Sequence, residues 1–300
     1  MRHKRKPRSI LKILFLSIWI PICFSTGFVL ALLIPAQNET DKSTQAPSPQ
    51  PIPTAAPIRL SASYDAFTHD FSLRGDDPKI LIYHTHTTEA YLQTEQFSYV
   101  ESTKWRTFDQ NRSVVAVGEA LKSALERYGF SVLHDTTDHE PPKLSTAYDR
   151  SEQTMLAYRE RYPSLVLFID LHRDAFGKDP STPMDYLVID GAETARLMLV
   201  VGQGEKYSEK PYFACNYRMA ENIMEHLNDK HEKLMRPIRI KPGRYNQHVA
   251  PHCLLVEVGH NANTLEQAMH AVPYLAESIA FAAAKEQSLV YSWVPVSAQN

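Results

Sequence analysis

The chain has 300 residues, 43% of them hydrophobic and 22% charged, which suits one large globular domain or two small ones and excludes an intrinsically disordered polymer. Formal charge is −2, but six Lys/Arg precede the first acid, Glu39, and the remainder carries 26 basic against 34 acidic residues, a net of −8. A domain that acidic has no general electrostatic footprint for nucleic acid, and the three Cys (Cys23, Cys215, Cys253) lack the spacing of a Cys-rich zinc site or a disulfide framework.

Residues 1–12 form a basic tip with Arg2, Lys4, Arg5, Lys6, Arg8 and Lys12. Residues 13–34 carry no charge. A helix of that length spans roughly 30 Å, the thickness of a bilayer's hydrocarbon core. The positive-inside rule then keeps the tip in the cytoplasm and sends the rest across, giving a single-pass protein of the cell membrane with an extracytoplasmic domain. A cleaved signal peptide is the competing reading. The apolar run is long for one, and Ile34-Pro35-Ala36 is a poor cleavage site. Residues 35–59 hold Pro35, Pro47, Pro49, Pro51, Pro53 and Pro57 among Ser, Thr, Gln and Ala. That composition predicts an extended, semi-stiff linker. The main domain occupies residues 60–300.

Within it, apolar runs alternate with helical patterns. Lys79–His84 reads as a buried strand. Val114, Val117, Leu121, Ala124, Leu125 and Tyr128 share one helical face, with Gly129 as the stop. Phe130–His134 is a short strand, and Thr146–Tyr162 a second amphipathic helix ended by Pro163. Leu165–Leu171 is a central strand and Arg196–Val201 another. Met219, Ala220, Ile223, Met224 and Leu227 mark a third helix. Cys253–Val258 is a strand, and residues 264–285 are helical with a break expected at Pro273. Such alternation predicts an α/β fold: a mixed, mostly parallel central sheet with helices on both faces. Sites in such sheets gather beyond the carboxyl ends of the strands.

Three strands end in residues that an apolar strand does not otherwise need. These are Tyr83-His84-Thr85-His86-Thr87-Thr88-Glu89, Asp170-Leu171-His172-Arg173-Asp174, and Glu257 within Leu254-Leu-Val-Glu-Val-Gly259. Two imidazoles and two carboxylates at neighbouring strand ends suit a catalytic Zn²⁺ site, with one carboxylate free as a general base. Glu257 stands out, because a carboxylate inside an apolar strand is costly unless paired or used. A structural ion pair with Arg173 or Arg244 is the alternative.

The blocks "ILIYHTHTTEAY", "FIDLHRDA", "LMLVVG" and "RYNQHVAPHCLLVEVGHNANTLEQA" resemble the stage II sporulation protein P family over roughly residues 75–285. The resemblance implies a membrane-anchored, zinc-dependent N-acetylmuramoyl-L-alanine amidase of sporulation (engulfment), with a zinc-amidase-like fold and peptidoglycan as substrate. Some members of the family also cut peptide cross-links. It implies His86, Glu89 and His172 as metal ligands and Glu257 as the catalytic base, with Asp109 the rival of Glu89 and His84 that of His86. Arg173, Asn246 and Gln247 are candidates for substrate contact, and His84 and Asp174 for supporting the ligands. Stage II sporulation proteins D and M are the partners it implies. An envelope metallopeptidase and a non-catalytic wall-binding module are the alternative functions.

Overall fold

The computed structural model describes residues 71–175, 184–204 and 212–292. All of them lie in the unit formed by residues 59–300. The expected basic tip (1–12), membrane span (13–34) and linker (35–59) all fall outside the described residues. Among those described, no helix is long and apolar enough to cross a membrane.

A six-stranded sheet organises the domain. Its strands are β1 (Ile80–Tyr83), β2 (Val132–His134), β3 (Leu167–Asp174), β6 (Leu197–Gly202), β7 (Arg239–Lys241) and β8 (Cys253–His260), in the order β2-β1-β3-β8-β6-β7. All neighbours pair in parallel except β6 and β8. The expected mixed, mostly parallel sheet is therefore present. A separate hairpin joins β4 (Tyr186–Ile189) to β5 (Ala192–Ala195).

Side-chain alternation gives the sheet two unlike faces. Ile80, Ile82, Leu167, Ile169, Leu171, Leu254, Val256 and Val258 meet α1 (Val114–Glu126), α3 (Phe213–Lys230) and α4 (Leu265–Ser292) in the larger core. The opposite residues, including Leu81, Tyr83, Phe168 and Cys253, pack on Met155 of α2 (Ala147–Arg161) and on Val249 and Ala250. Three helices thus cover one face, and one helix with a loop covers the other.

The break expected at Pro273 does not occur, since α4 runs through it. Pro removes one helical hydrogen bond. Burial of Ala271, Val272, Leu275, Ala276 and Ile279 on that stretch outweighs the loss, as tertiary packing usually does for helices. The start of α4 is fixed by a reciprocal cap: Gln267 N donates to Thr264 Oγ1 at 3.2 Å, and Thr264 N donates to Gln267 Oε1 at 3.2 Å.

Candidate functional site

His172 and Glu257 are direct partners in the parallel β3–β8 ladder. Their side chains leave the same face, the one shared by Phe168, Asp170, Cys253 and Leu255. β1 ends at Tyr83, and the chain bends so that His86 and Glu89 come over the end of β3. His172 Nδ1 lies 3.3 Å from Glu89 Oε2. The rings of His86 and His172 have centroids 5.5 Å apart. Tyr148 of α2 closes one side, edge-on to His86 at 5.8 Å and stacked over His172 at 6.5 Å. Thus His86, Glu89, His172 and Glu257 meet at the carboxyl ends of three adjacent strands.

The electrostatics of these groups diverge. Burial raises the Glu257 carboxyl, and Glu89 and Asp174 add to the rise against the pull of His172 and Lys241, so it reaches about 7. Its Oε2 is buried without a hydrogen-bond partner. A carboxylate tuned to neutrality is suited to moving a proton. Burial would raise Glu89 too, but Arg173 and then His172 hold it well below the usual range. Burial would lower His172, yet Asp170 and Glu89 overcome it and push the imidazole well above its ordinary value. Three carboxylates of one site therefore split into two that stay ionised and one that titrates near neutrality, since Asp170 is also lowered: burial opposes, and His172 and Thr85 prevail.

Other expected site residues sit elsewhere in the network. His84 keeps the face of Ile80 and Ile82. Its Nδ1 lies 2.7 Å from Leu171 O and its Nε2 2.9 Å from His134 Nε2. Burial, then His134, lowers it to about 3, so it is a neutral strut under the strand before His172. Arg173 donates to Ala90 O at 2.9 Å and Trp105 O at 3.0 Å, which commits its fork to holding the loop after β1. Asn246 donates to Tyr148 O and Ser151 Oγ, and Gln247 bridges Gly202 N and Val200 O; both amides stitch backbone. A bulge between His172 and Asp174 turns Asp174 to Arg236, 3.1 Å away. Asp109 is exposed and caps the turn Gln110–Arg112 by accepting from Asn111 N, so Glu89 is the carboxylate that faces His172.

The donor types suit zinc: two imidazoles with carboxylates, His172 Nδ1 turned to Glu89, and the acids Glu140 and Asp170 behind the other nitrogens, 3.5 Å from His86 Nδ1 and 2.8 Å from His172 Nε2. Among the described residues, no group of three or more His, Cys, Asp or Glu stands in a metal-holding arrangement. The side chains are drawn together as ion pairs, with His172 between two acids. The residue types fit the ion.

Comparison with known proteins adds the family. The description "Stage II sporulation protein P" matches residues 34–280. The chain belongs to that family. The stage II sporulation protein P of Bacillus subtilis (strain 168) is 28% identical over 208 residues, covering 66% of this chain and 49% of that protein. The chain thus spans about half the length of the curated relative it matches. Among solved structures, the amidase CwlD of Clostridioides difficile, in complex with the GerS lipoprotein, is 15% identical with a TM-score of 0.44, covering 70% of this chain and 99% of that one. The N-acetylmuramoyl-L-alanine amidase AmiC2 of Nostoc punctiforme is 13% identical with a TM-score of 0.40, covering 71% and 99%. Such scores carry no argument about the site.

In this member of the stage II sporulation protein P family, the site also takes in Asp170, which the sequence placed at a strand end without a role, and Glu140, Arg106 and Tyr148, which it did not single out. Asp170 accepts from Thr85 N at 2.8 Å and Thr85 Oγ1 at 2.6 Å. Glu140 Oε1 lies 3.5 Å from His86 Nδ1, and the carboxyl is held by Arg106 and Thr88 at 2.5 Å each. Asp170 had a readable signal, a charge inside the apolar run Leu165–Leu171. Glu140 and Tyr148 had none, because only the tertiary fold brings the start of α2 and the loop before it to the strand ends.

Proposed function

We propose that this family member is a zinc-dependent peptidoglycan hydrolase of sporulation that cleaves the amide between muramic acid and L-alanine. The observation that carries the proposal is Glu257: a buried carboxylate with an unpartnered oxygen, in register with His172 and tuned to about 7. A structural ion pair would have lowered that carboxyl, as Arg173 lowers Glu89.

His86, Glu89 and His172 would hold the zinc, with Asp170 and Glu140 orienting the two imidazoles. When bound, the ion supplies Lewis-acid polarisation of the scissile carbonyl and acidifies water towards a pKa of about 7. Glu257, deprotonated, takes a proton from the attacking water and returns it to the leaving amine. Tyr148 walls the imidazoles on one side and limits access of bulk water. The domain works outside the cytoplasmic membrane, tethered through residues 13–34 and the linker, in concert with stage II sporulation proteins D and M.

The test is digestion of purified peptidoglycan by the full chain in detergent, with fragments identified by mass spectrometry. New amino termini on L-alanine are expected, with cleavage abolished by chelator. Glu257→Gln should lower kcat/KM by roughly 10²–10⁴-fold, the usual share of a general base. Peptides still joined to glycan, with cuts only at cross-links, would replace the amidase by an endopeptidase.

A further inference from the structure

The segment 233–256 contains Lys233, Arg236, Arg239, Lys241 and Arg244 and no acid, in a domain that is otherwise acidic. β7 carries two of these bases to the site face. Arg239 is in register with Val200, which pairs with Leu255, while Met198 pairs with Glu257. Met198, Val200 and Leu255 form one cluster with Tyr245, so Arg239, and Lys241 two residues on, share the face of Glu257. Their charge is largely unspent. Asp174 is already paired with Arg236 at 3.1 Å, and Arg239 stands 3.9 Å from the same oxygen with 45% of its side chain exposed. Lys241 lies 5.9 Å from the Tyr245 ring centroid and forms no ion pair among the described residues.

We infer that Arg239 and Lys241 form a subsite for a carboxylate on the peptide arm of the substrate, on the second strand from Glu257, with Arg239 level with Val200 and Leu255 and Lys241 one step further, level with Gly202. This takes over the role expected of Arg173, whose fork is committed to Ala90 and Trp105. It rests on the amidase reading for which polymer carries the peptide. The geometry sets the order along the sheet: imidazoles at β1 and β3, the proton acceptor at β8, the cationic rim at β7. A substrate whose amide lies over Glu257 points one arm along that line. Arg supplies a planar fork and Lys a mobile point charge, a pairing suited to an acid of variable reach.

Two measurements with the full chain separate this subsite from the amidase reading. In the first, wild-type and the double variant Arg239→Gln/Lys241→Met digest native peptidoglycan and peptidoglycan whose carboxyls have been amidated. Wild-type kcat/KM should favour the native polymer by roughly tenfold, the size of one charge-assisted hydrogen bond. The double variant should treat both polymers alike. In the second, calorimetry compares alanyl-γ-glutamyl-lysine with its amidated form, and wild-type should bind the acid roughly tenfold tighter. Equal binding of both forms by wild-type, or a preference that survives in the double variant, overturns the subsite. A binding preference without cleavage of either polymer keeps the subsite and removes the amidase.

Discussion

Asp170 ties the His172 ring to the chain that leaves β1. Both of its oxygens accept from Thr85, through the backbone N–H and the hydroxyl, and one also faces His172. Thr85 Oγ1 is in turn 2.8 Å from Ser151 Oγ, which Asn246 reaches from the far loop. An Asn at position 170 would turn an amide N–H toward a Thr85 donor and remove the charge that holds the His172 ring. Asp170→Asn is therefore expected to weaken zinc binding by about 10–100-fold, the usual effect of losing a carboxylate behind a ligand imidazole. Titration of the metal-free full chain with zinc checks it. Unchanged affinity in a folded variant would reduce Asp170 to a packing role.

At the scale of elements, α1 packs closely on the sheet at Gly118. A Cβ added to Gly118 would meet His84 Nε2 at 2.6 Å and His134 Nε2 at 2.7 Å. Ala favours the helix over Gly by about 1 kcal/mol. Here the two rings are hydrogen-bonded to each other, and His84 is also tied to Leu171 O, so neither can yield. Overpacking of about 1–3 kcal/mol should prevail, and Gly118→Ala should lower the urea midpoint. A raised midpoint would mean that α1 slides freely on β1. The strands that bear the site were legible because they are continuous apolar runs that end in His and acid. The β4–β5 hairpin was legible too, and passed over: Asp190-Gly191 is a two-residue turn signal, with both residues at positive φ, 52° and 82°. β7 gave no such cue, since Arg239-Ile240-Lys241 holds a single apolar residue. Nor did the chain order foretell that Arg173, Asn246 and Gln247 would spend their polar atoms on backbone. Side-chain direction there depends on a bulge in β3 and on Tyr245 and Asn246, both at positive φ.

For the whole molecule, two buried glutamates set opposite slopes of stability against pH. Glu286 of α4 would be raised by burial, but Arg218, with paired contacts of 2.8 and 2.6 Å, and His252 lower it to about 2. Its contribution is complete above the unfolded carboxyl pKa, near 4.5, and is lost as pH falls towards 2. Glu257 runs the other way. Its folded pKa is about 7 against 4.5 unfolded, so folding holds a proton that the unfolded chain releases. Stability from this group is therefore lost as pH rises from about 4.5 to 7 and is constant above. His84, neutral in the fold and protonated in the unfolded chain below about 6.5, opposes this slope over much of the same range, so the Glu257 contribution is read as a difference between wild type and a Glu257 variant. Glu257→Gln removes the second slope without touching the first. Thermal scans from pH 3 to 8 should show the two proteins parallel in acid and diverging above about pH 5, with the variant several degrees higher at neutral pH. Parallel curves throughout would mean that Glu257 is solvated in the folded chain, and the case for it as a tuned base would fall with them. A variant that is more stable and yet inactive is what a strained functional carboxylate predicts, because the energy that keeps Glu257 protonated at rest is the same energy that makes it a base near pH 7.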